Sequence, residues 1–130
     1  MPPLTPEQAK LFKEPFLATV ATVRPDNSPH LTPVWIDWDG ENVVFNTAEG
    51  RAKPRYIRRN PVAGVLVVDE GDPYRWVSVS GPAEIVEEGA EEHINELSHR
   101  YRGRDYDYVD GEKRLIVRVK PERVTVRGIS

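Results

Sequence analysis

The chain has 130 residues, a net charge of −3 and no cysteine, which fits a single domain over residues 1–130 and excludes disulfides, thiolate metal sites and cysteine nucleophiles. The slightly acidic balance argues against general nucleic-acid binding, which usually shows as a basic excess. No apolar run reaches the roughly twenty residues of a membrane span and the N-terminus lacks a signal pattern, so we expect a cytoplasmic protein with no membrane or nucleic-acid partner.

The first third of the chain predicts one short helix and three strands. Thr5 and Pro6 open the helix with a capping side chain and a proline at the first helical position, and we expect it to end before Pro15. Runs of β-branched and apolar residues between turn signals predict the strands. These are Phe16–Val23, His30–Trp38 and Val43–Thr47, with a hairpin at Asp39-Gly40 between the last two.

The second of these strands has a proline near its centre. Pro33 has no amide hydrogen to donate, so we expect this strand to lie at a sheet edge or to bulge there. Such irregular backbone is a surface against which a ligand can lie. His30 begins the same strand, where a histidine is either a solvent-facing residue or a ligand contact.

Residues 46–59 are the least ordinary part of the sequence. Gly50 breaks the preceding strand, and Pro54 suits the first turn of a helix that runs to about residue 59. Free amide groups at a helix start attract anions, so Arg51 and Lys53 at that position predict a phosphate site. The alternative is a solvated, arginine-rich surface helix. Positions 51–59 hold five basic residues and no acid: Arg51, Lys53, Arg55, Arg58 and Arg59.

The second half of the chain predicts a mainly β fold. Val62–Asp69 is nearly all apolar, as in a central strand, and Arg75–Val86 alternates apolar and polar residues, with a bulge expected at Gly81-Pro82. A helix over Glu87–Arg102 and a polar loop precede two strand pieces, Leu115–Val119 and Arg123–Arg127. The fold class is therefore an α+β antiparallel barrel of six to seven strands with accessory helices.

Several enzyme classes are excluded by missing motifs. The chain has no dinucleotide fingerprint, P-loop, nucleophile elbow or zinc-protease motif. His93 and His99 lie six apart on one helix and do not share a face, so we predict two surface residues and no metal site. Trp35, Trp38 and Trp76 are able to stack on a planar ligand or to fill a core.

Three segments, taken in order, resemble a known family. They are Arg-Pro-Asp-Asn-Ser-Pro-His-Leu-Thr-Pro-Val-Trp (24–35), the stretch from Phe45 to Pro61 and Trp-Val-Ser-Val-Ser-Gly-Pro-Ala-Glu (76–84). The chain resembles the pyridoxamine-phosphate-oxidase-like, FMN-binding split β-barrel family over nearly its whole length. Its size and its Asn-Ser-Pro-His turn are most similar to the deazaflavin-dependent branch, the reductases that use coenzyme F420.

This resemblance implies a homodimer with its cofactor in a groove at the subunit interface. The cofactor ring would lie along the second strand and its phosphate at the start of the basic helix, with Arg55, Arg58 and Arg59 steering an anionic tail. The implied cofactor-binding residues are His30, Leu31, Thr32 and Pro33 for the ring, Thr47, Arg51, Ala52 and Lys53 for the phosphate, and Trp76, from the same or the neighbouring subunit.

The resemblance also implies the chemistry. Members of the deazaflavin branch reduce conjugated acceptors with a hydride from reduced F420, and the protein orients the ring and excludes water. No catalytic acid is implied, and the substrate stays open. Two alternatives remain at this point: an FMN-dependent oxidoreductase on the same barrel, and a non-catalytic protein that carries F420 or a flavin.

Overall fold

The computed structural model describes residues 4–130 and contains the predicted helices and strands. The helices are α1 (Pro6–Lys10), continued by a 3₁₀ turn (Leu11–Lys13), α2 (Ala52–Arg59) and α3 (Ala90–Arg102). The strands are β1 (Leu17–Val23), β2 (Pro29–Trp38), β3 (Val43–Ala48), β4 (Val62–Val68), β5 (Trp76–Val86), β6 (Arg114–Val119) and β7 (Arg123–Arg127). Helix α1 begins with the predicted cap, since Thr5 Oγ1 accepts from the Gln8 amide at 3.2 Å.

Six antiparallel strands close into a barrel. The order is β4-β1-β2-β3-β6-β5, and pairing between β4 and β5 completes the ring, while β7 extends the sheet from β5. Closure pairs β4 with β5, whose outer edges an open sheet would leave exposed. The split β-barrel predicted from the sequence is confirmed.

Strand β5 serves two parts of the barrel. Trp76–Pro82 pairs with β4, and Ala83–Val86 pairs with β6. The register against β4 runs through Gly81 without a break, so the bulge predicted at Gly81-Pro82 is wrong on that side. Glycine is needed there for another reason: a Cβ at Gly81 would lie 2.0 Å from the carbonyl oxygen of Lys120.

Strand β2 changes partners near its middle and so creates the split. Residues 29–35 pair with β1, and only Ile36–Trp38 pair with β3. Between residues 29 and 35 the second edge of β2 faces no strand in the described part of the chain. Pro33 lies in this stretch, which confirms the predicted edge position and explains why a residue without an amide hydrogen is tolerated.

The core fills the barrel with alternating strand residues. Val20, Phe45, Val79 and Val117 are completely buried, as the period of two requires for an inward-facing row. Helix α2 anchors on this core through Ile57, which is 2% exposed. None of the helices in residues 4–130 is long and apolar enough to cross a membrane.

Candidate functional site

A cavity of about 260 Å³ lies where β2 and β3 diverge. Leu17, Trp35, Ile94 and Leu97 give it apolar walls, while its polar lining comes from β3, β6, the start of α2 and the loop between α3 and β6. The full lining is Leu17, Pro33, Val34, Trp35, Asn46, Arg51, Lys53, Ile94, Leu97, Tyr106 and Arg114. The lining holds three cationic side chains and no acid, so the cavity fits an anionic ligand with an apolar body.

Four of the predicted binding residues meet at this cavity. Pro33, Arg51 and Lys53 line it, and Lys53 Nζ donates to Thr32 Oγ1 at 3.1 Å. Partial burial lowers the pKa of Lys53, and the charges of Arg51 and Arg114 lower it further. The smaller, charge-dependent part of this lowering of the pKa reflects a positive potential at the place where the sequence predicts a phosphate.

Three further predicted residues, His30 and Leu31 for the ring and Ala52 for the phosphate, are not part of the cavity lining. His30 packs edge-to-face on Tyr56, with ring centroids 5.4 Å apart. Its pKa is lowered by burial first and then by Arg24 and Lys53. Leu31 is 61% exposed, which leaves its side chain free to contact a ligand or a second subunit. Ala52 is the first residue of α2 and is half-buried.

Thr47 is completely buried on β3 and does not line the cavity. Its Oγ1 is the one buried side-chain polar atom without a hydrogen-bond partner in residues 4–130. Strand alternation puts it on the same face as Phe45, behind the cavity lining. An unpaired buried hydroxyl costs about 1–3 kcal/mol, and the contact of Thr47 with a phosphate stays a prediction.

Trp76 lies away from the cavity within one chain. It lines a separate apolar hollow of about 440 Å³ on the outer face of β4, β5 and β7. The other residues around this hollow are Leu66, Val68, Ser78 and Thr125. A contact between Trp76 and a ligand in the cavity therefore requires a second copy of the chain, and it stays a prediction.

The arginines of α2 form a second basic hollow of about 340 Å³ next to the cavity. Arg51 lines both spaces, and Arg55 and Arg58 line the hollow with Glu49. Arg58 Nη1 contacts Glu49 Oε2 at 2.7 Å. Arg59 turns away and donates to the carbonyl oxygen of Pro25 at 3.1 Å. Arg55 and Arg58 therefore lie in the hollow next to the cavity, and their steering of an anionic tail stays a prediction. Arg59 makes a structural contact with the Pro25 carbonyl oxygen instead.

Sequence reasoning missed the polar residues that line the deep end of the cavity. Arg114 is 5% exposed and donates from Nε to Asn46 Oδ1 at 2.8 Å and from Nη1 to the Tyr106 hydroxyl at 3.2 Å. Glu112 lies 3.3 Å from Arg114 Nη1 and 3.6 Å from Arg51 Nη2. One signal was available: Arg114 opens a strand that is otherwise nearly all apolar and buried.

The prediction for His93 is wrong. His93 is 9% exposed and contacts Asp37 Oδ2 from Nε2 at 3.2 Å and Asn46 Nδ2 from Nδ1 at 3.1 Å. Its position four residues before Leu97 puts it on the buried stripe of α3, which packs against β2, β3 and β6. His99 is exposed and pairs with Asp105, as predicted for a surface residue. No group of metal-ligating residues forms in the described part of the chain.

The chain is similar to known proteins over nearly its whole length. Residues 4–128 match the model of the pyridoxamine 5'-phosphate oxidase family. The chain belongs to this family. A relative in Mycobacterium tuberculosis (strain CDC 1551 / Oshkosh), named F420H(2)-dependent biliverdin reductase, is 24% identical over 121 residues, covering 93% of this chain and 86% of the relative.

Solved structures of the same fold are closer in sequence. One named F420 Reductase has a TM-score of 0.82 and 30% identity, covering 94% of this chain and 98% of its own. A conserved hypothetical protein from Mycobacterium tuberculosis, Rv2991, has a TM-score of 0.73 and 31% identity, covering 92% and 81%. The resemblance to the deazaflavin branch of the family is confirmed.

The residues present fit a coenzyme of the kind that this family implies. Arg51 and Lys53 are charged donors suited to a phosphate. Trp35 stacks on Tyr101 with centroids 5.4 Å apart and gives the cavity a flat aromatic wall. Charged donors at one side and planar apolar surface at the other suit a phosphorylated, ring-bearing molecule.

Proposed function

We propose that this protein is an F420-dependent oxidoreductase that reduces a small conjugated organic acceptor. One observation carries the proposal: the cavity at the split sets Arg51 and Lys53 beside apolar walls at the free edge of β2. A flat anionic coenzyme needs charged donors and an apolar surface together. The relatives named as F420-dependent reductases support the same coenzyme.

The predicted residues divide between two tasks in this proposal. Arg51 and Lys53 hold the phosphate through charged hydrogen bonds, with the first turn of α2 at Ala52 as a further donor. The edge of β2 from His30 to Pro33 lines the ring, and Thr32, which accepts from Lys53, joins the two tasks.

When bound, the reduced coenzyme supplies the hydride. The protein's part is to orient the reactants and to exclude water. Tyr101 stacks on Trp35, accepts from the Ile36 amide at 2.9 Å and donates to the Phe16 carbonyl oxygen at 2.6 Å. These bonds fix the aromatic wall against which a planar acceptor would lie. The proton would come from water, free or ordered by an arginine, and we assign no side chain to that role.

A homodimer with the coenzyme at its interface completes the proposal. The hollow around Trp76 is mainly apolar and includes Leu66, which is 37% exposed. An exposed apolar surface of this kind is typical of an interaction site. In the proposed dimer, a partner packed against this hollow would have its own cavity close to Trp76. A cytoplasmic location also stays a prediction.

The second candidate is an FMN-dependent oxidoreductase, which the match to the pyridoxamine 5'-phosphate oxidase family favours. FMN offers the same phosphate and a similar planar ring. Titration of the purified protein with F420 and with FMN, followed by ligand fluorescence, separates the candidates. Tight binding of F420 alone supports the proposal, preference for FMN replaces it, and F420 binding without turnover of any acceptor indicates a carrier.

A further inference from the structure

Arg114 is a buried cation whose hydrogen-bonding capacity is only partly used. Nε donates to Asn46 and Nη1 donates to Tyr106, while Nη2 has no hydrogen-bond partner among residues 4–130. Thr47 Oγ1 is the one side-chain polar atom in that range that is both buried and unpartnered. Nη2 is thus unpaired without being fully buried, and because Arg114 lines the cavity, a ligand that enters it can meet this unused donor.

The charges around the cavity do not balance. Arg51, Lys53 and Arg114 contribute three positive charges to the lining, and Glu112 is the carboxylate that pairs with two of them. An excess of two positive charges remains in a partly buried space. Burying unpaired charge is unfavourable, and the lowered pKa of Lys53 is one consequence. An anion that entered the cavity would relieve this excess.

Asn46 has one orientation that satisfies its neighbours. Its Nδ2 donates to the Ala90 carbonyl oxygen at 2.9 Å and to His93 Nδ1 at 3.1 Å, so Oδ1 faces Arg114 Nε. The reverse orientation would set the amide's N–H groups against the guanidinium, donor against donor. His93 therefore accepts at Nδ1 and donates from Nε2 to Asp37.

Asp37 ends this chain of contacts as a fixed anion. Burial alone would raise the pKa of Asp37, but hydrogen bonds from His93, Lys13 and the Trp38 amide, together with the charge of Arg100, hold it well below its usual range. Lys13 Nζ and Arg100 Nη2 each lie 3.0 Å from Asp37 Oδ1. A carboxylate held in this way fixes the donor and acceptor roles of His93, and through them those of Asn46.

We propose that Arg114 binds an oxyanion of the ligand in this cavity through Nη2, and that Asp37, His93 and Asn46 are positioning residues that hold its guanidinium there. The oxyanion is a phosphate of the coenzyme or a carboxylate of the acceptor, since the planar guanidinium suits both. The inference rests on the proposed function, because it places an anionic ligand in the same cavity.

Calorimetric titrations with F420, inorganic phosphate and benzoate test the role of Arg114. We expect Arg114→Gln to weaken anion binding by about tenfold to a hundredfold. The control Arg123→Gln removes the same charge from an exposed residue of β7 and should change nothing. A loss confined to F420 and phosphate assigns the phosphate to Arg114, and a loss confined to benzoate assigns the carboxylate.

A second measurement keeps the inference testable if Arg114→Gln fails to fold. The ¹⁵N NMR signal of the Arg114 Nε–H, assigned by its absence in Arg114→Lys, should shift when the anion is added to the unmodified protein. For the positioning residues, Asn46→Leu and His93→Gln should weaken anion binding several-fold and speed exchange of that Nε–H with water. A general loss of packing would speed the exchange of many N–H groups and would not be confined to the Arg114 Nε–H.

The outcomes separate this inference from the proposed function. An unchanged Kd for all three anions in a folded Arg114→Gln, or an Nε–H signal that no anion shifts, overturns the inference. If the unmodified protein binds F420 and the binding of F420, phosphate and benzoate is equally independent of Arg114, the inference fails and the proposed function stays in place. Failure of the unmodified protein to bind F420, with phosphate or benzoate binding that still depends on Arg114, removes the coenzyme and keeps the oxyanion site.

Discussion

Lys53 Nζ donates a hydrogen bond to Thr32 Oγ1 over 3.1 Å, and this contact joins the first turn of α2 to the free edge of β2. The two residues are 21 positions apart in the sequence. Lys53 belongs to the predicted phosphate-binding residues, which we call the phosphate cradle, and Thr32 belongs to the predicted ring-binding residues of β2. A ligand that touches both groups spans this hydrogen bond. Its charged donor therefore lies at the centre of the candidate site.

Removal of the cradle's cations should weaken binding of the coenzyme. We expect Lys53→Ala and Arg51→Ala each to cost about 1.5–3 kcal/mol of binding free energy, the usual value of a hydrogen bond to a charged group. Fluorescence titration with F420 measures the change. Lys120→Ala removes an exposed lysine outside the cavity as the control. Wild-type affinity in both cradle variants would contradict the phosphate site.

The apolar hollow around Trp76 should be a subunit interface. We expect a dimer by light scattering, and we expect Leu66→Glu to produce monomers because it puts a charge in the hollow. Val109→Glu is a matched control, since Val109 is 61% exposed and lies outside the hollow. A monomer in the unmodified protein that still binds the coenzyme would remove the interface site.

Gly81 should tolerate no side chain. An added Cβ would lie 2.0 Å from the Lys120 carbonyl oxygen, so Gly81→Ala should force a backbone shift and lower the free energy of unfolding by about 1–3 kcal/mol. Gly64→Ala is the control, because its nearest neighbour is 3.8 Å away. Urea unfolding measures both. Equal stability of the two variants would contradict the close approach of β5 to Lys120.

Asp37 should make the stability of the protein depend on pH at the acid end. Its pKa is lowered in the folded state, so its contribution is fully present above the ordinary aspartate value of about 4 and is lost as the pH falls from there toward the lowered value. Asp37→Asn should cost about 2 kcal/mol or more at pH 7, because the side chain is 11% exposed and binds three cationic or imidazole groups.

Urea unfolding at pH 7 and pH 3 tests the role of Asp37. The difference between the unmodified protein and Asp37→Asn should shrink at the lower pH. Asp26→Asn is a useful control, since that carboxylate is exposed and bonds only within its own turn. A difference between Asp37→Asn and the unmodified protein that is equally large at both pH values would indicate a packing effect instead.

Local patterns in the sequence predicted the elements and the position of the basic residues at the start of α2. Pro33 has no amide hydrogen, and that property alone places it at an edge; Gly50 and Pro54 bound the start of α2 by their backbone preferences. These features act within a few residues of themselves, so a single sequence carries them. The count of short strands joined by turns predicted the antiparallel barrel, and the three family-like segments added the split form; the strand pairing confirms both.

Tertiary structure alone decided the deep end of the cavity. Asn46 bonds to His93, 47 positions away in the sequence, and to Arg114, 68 positions away. Helical or strand periodicity predicts which face of an element is buried, but it does not predict which residues that face contacts. The stripe shared with Leu97 marks His93 as buried, yet Asp37 becomes its partner only when α3 packs on the barrel. Contacts between residues far apart in the sequence depend on how helices and strands pack, and the packing of α3 on the barrel brings these residues together.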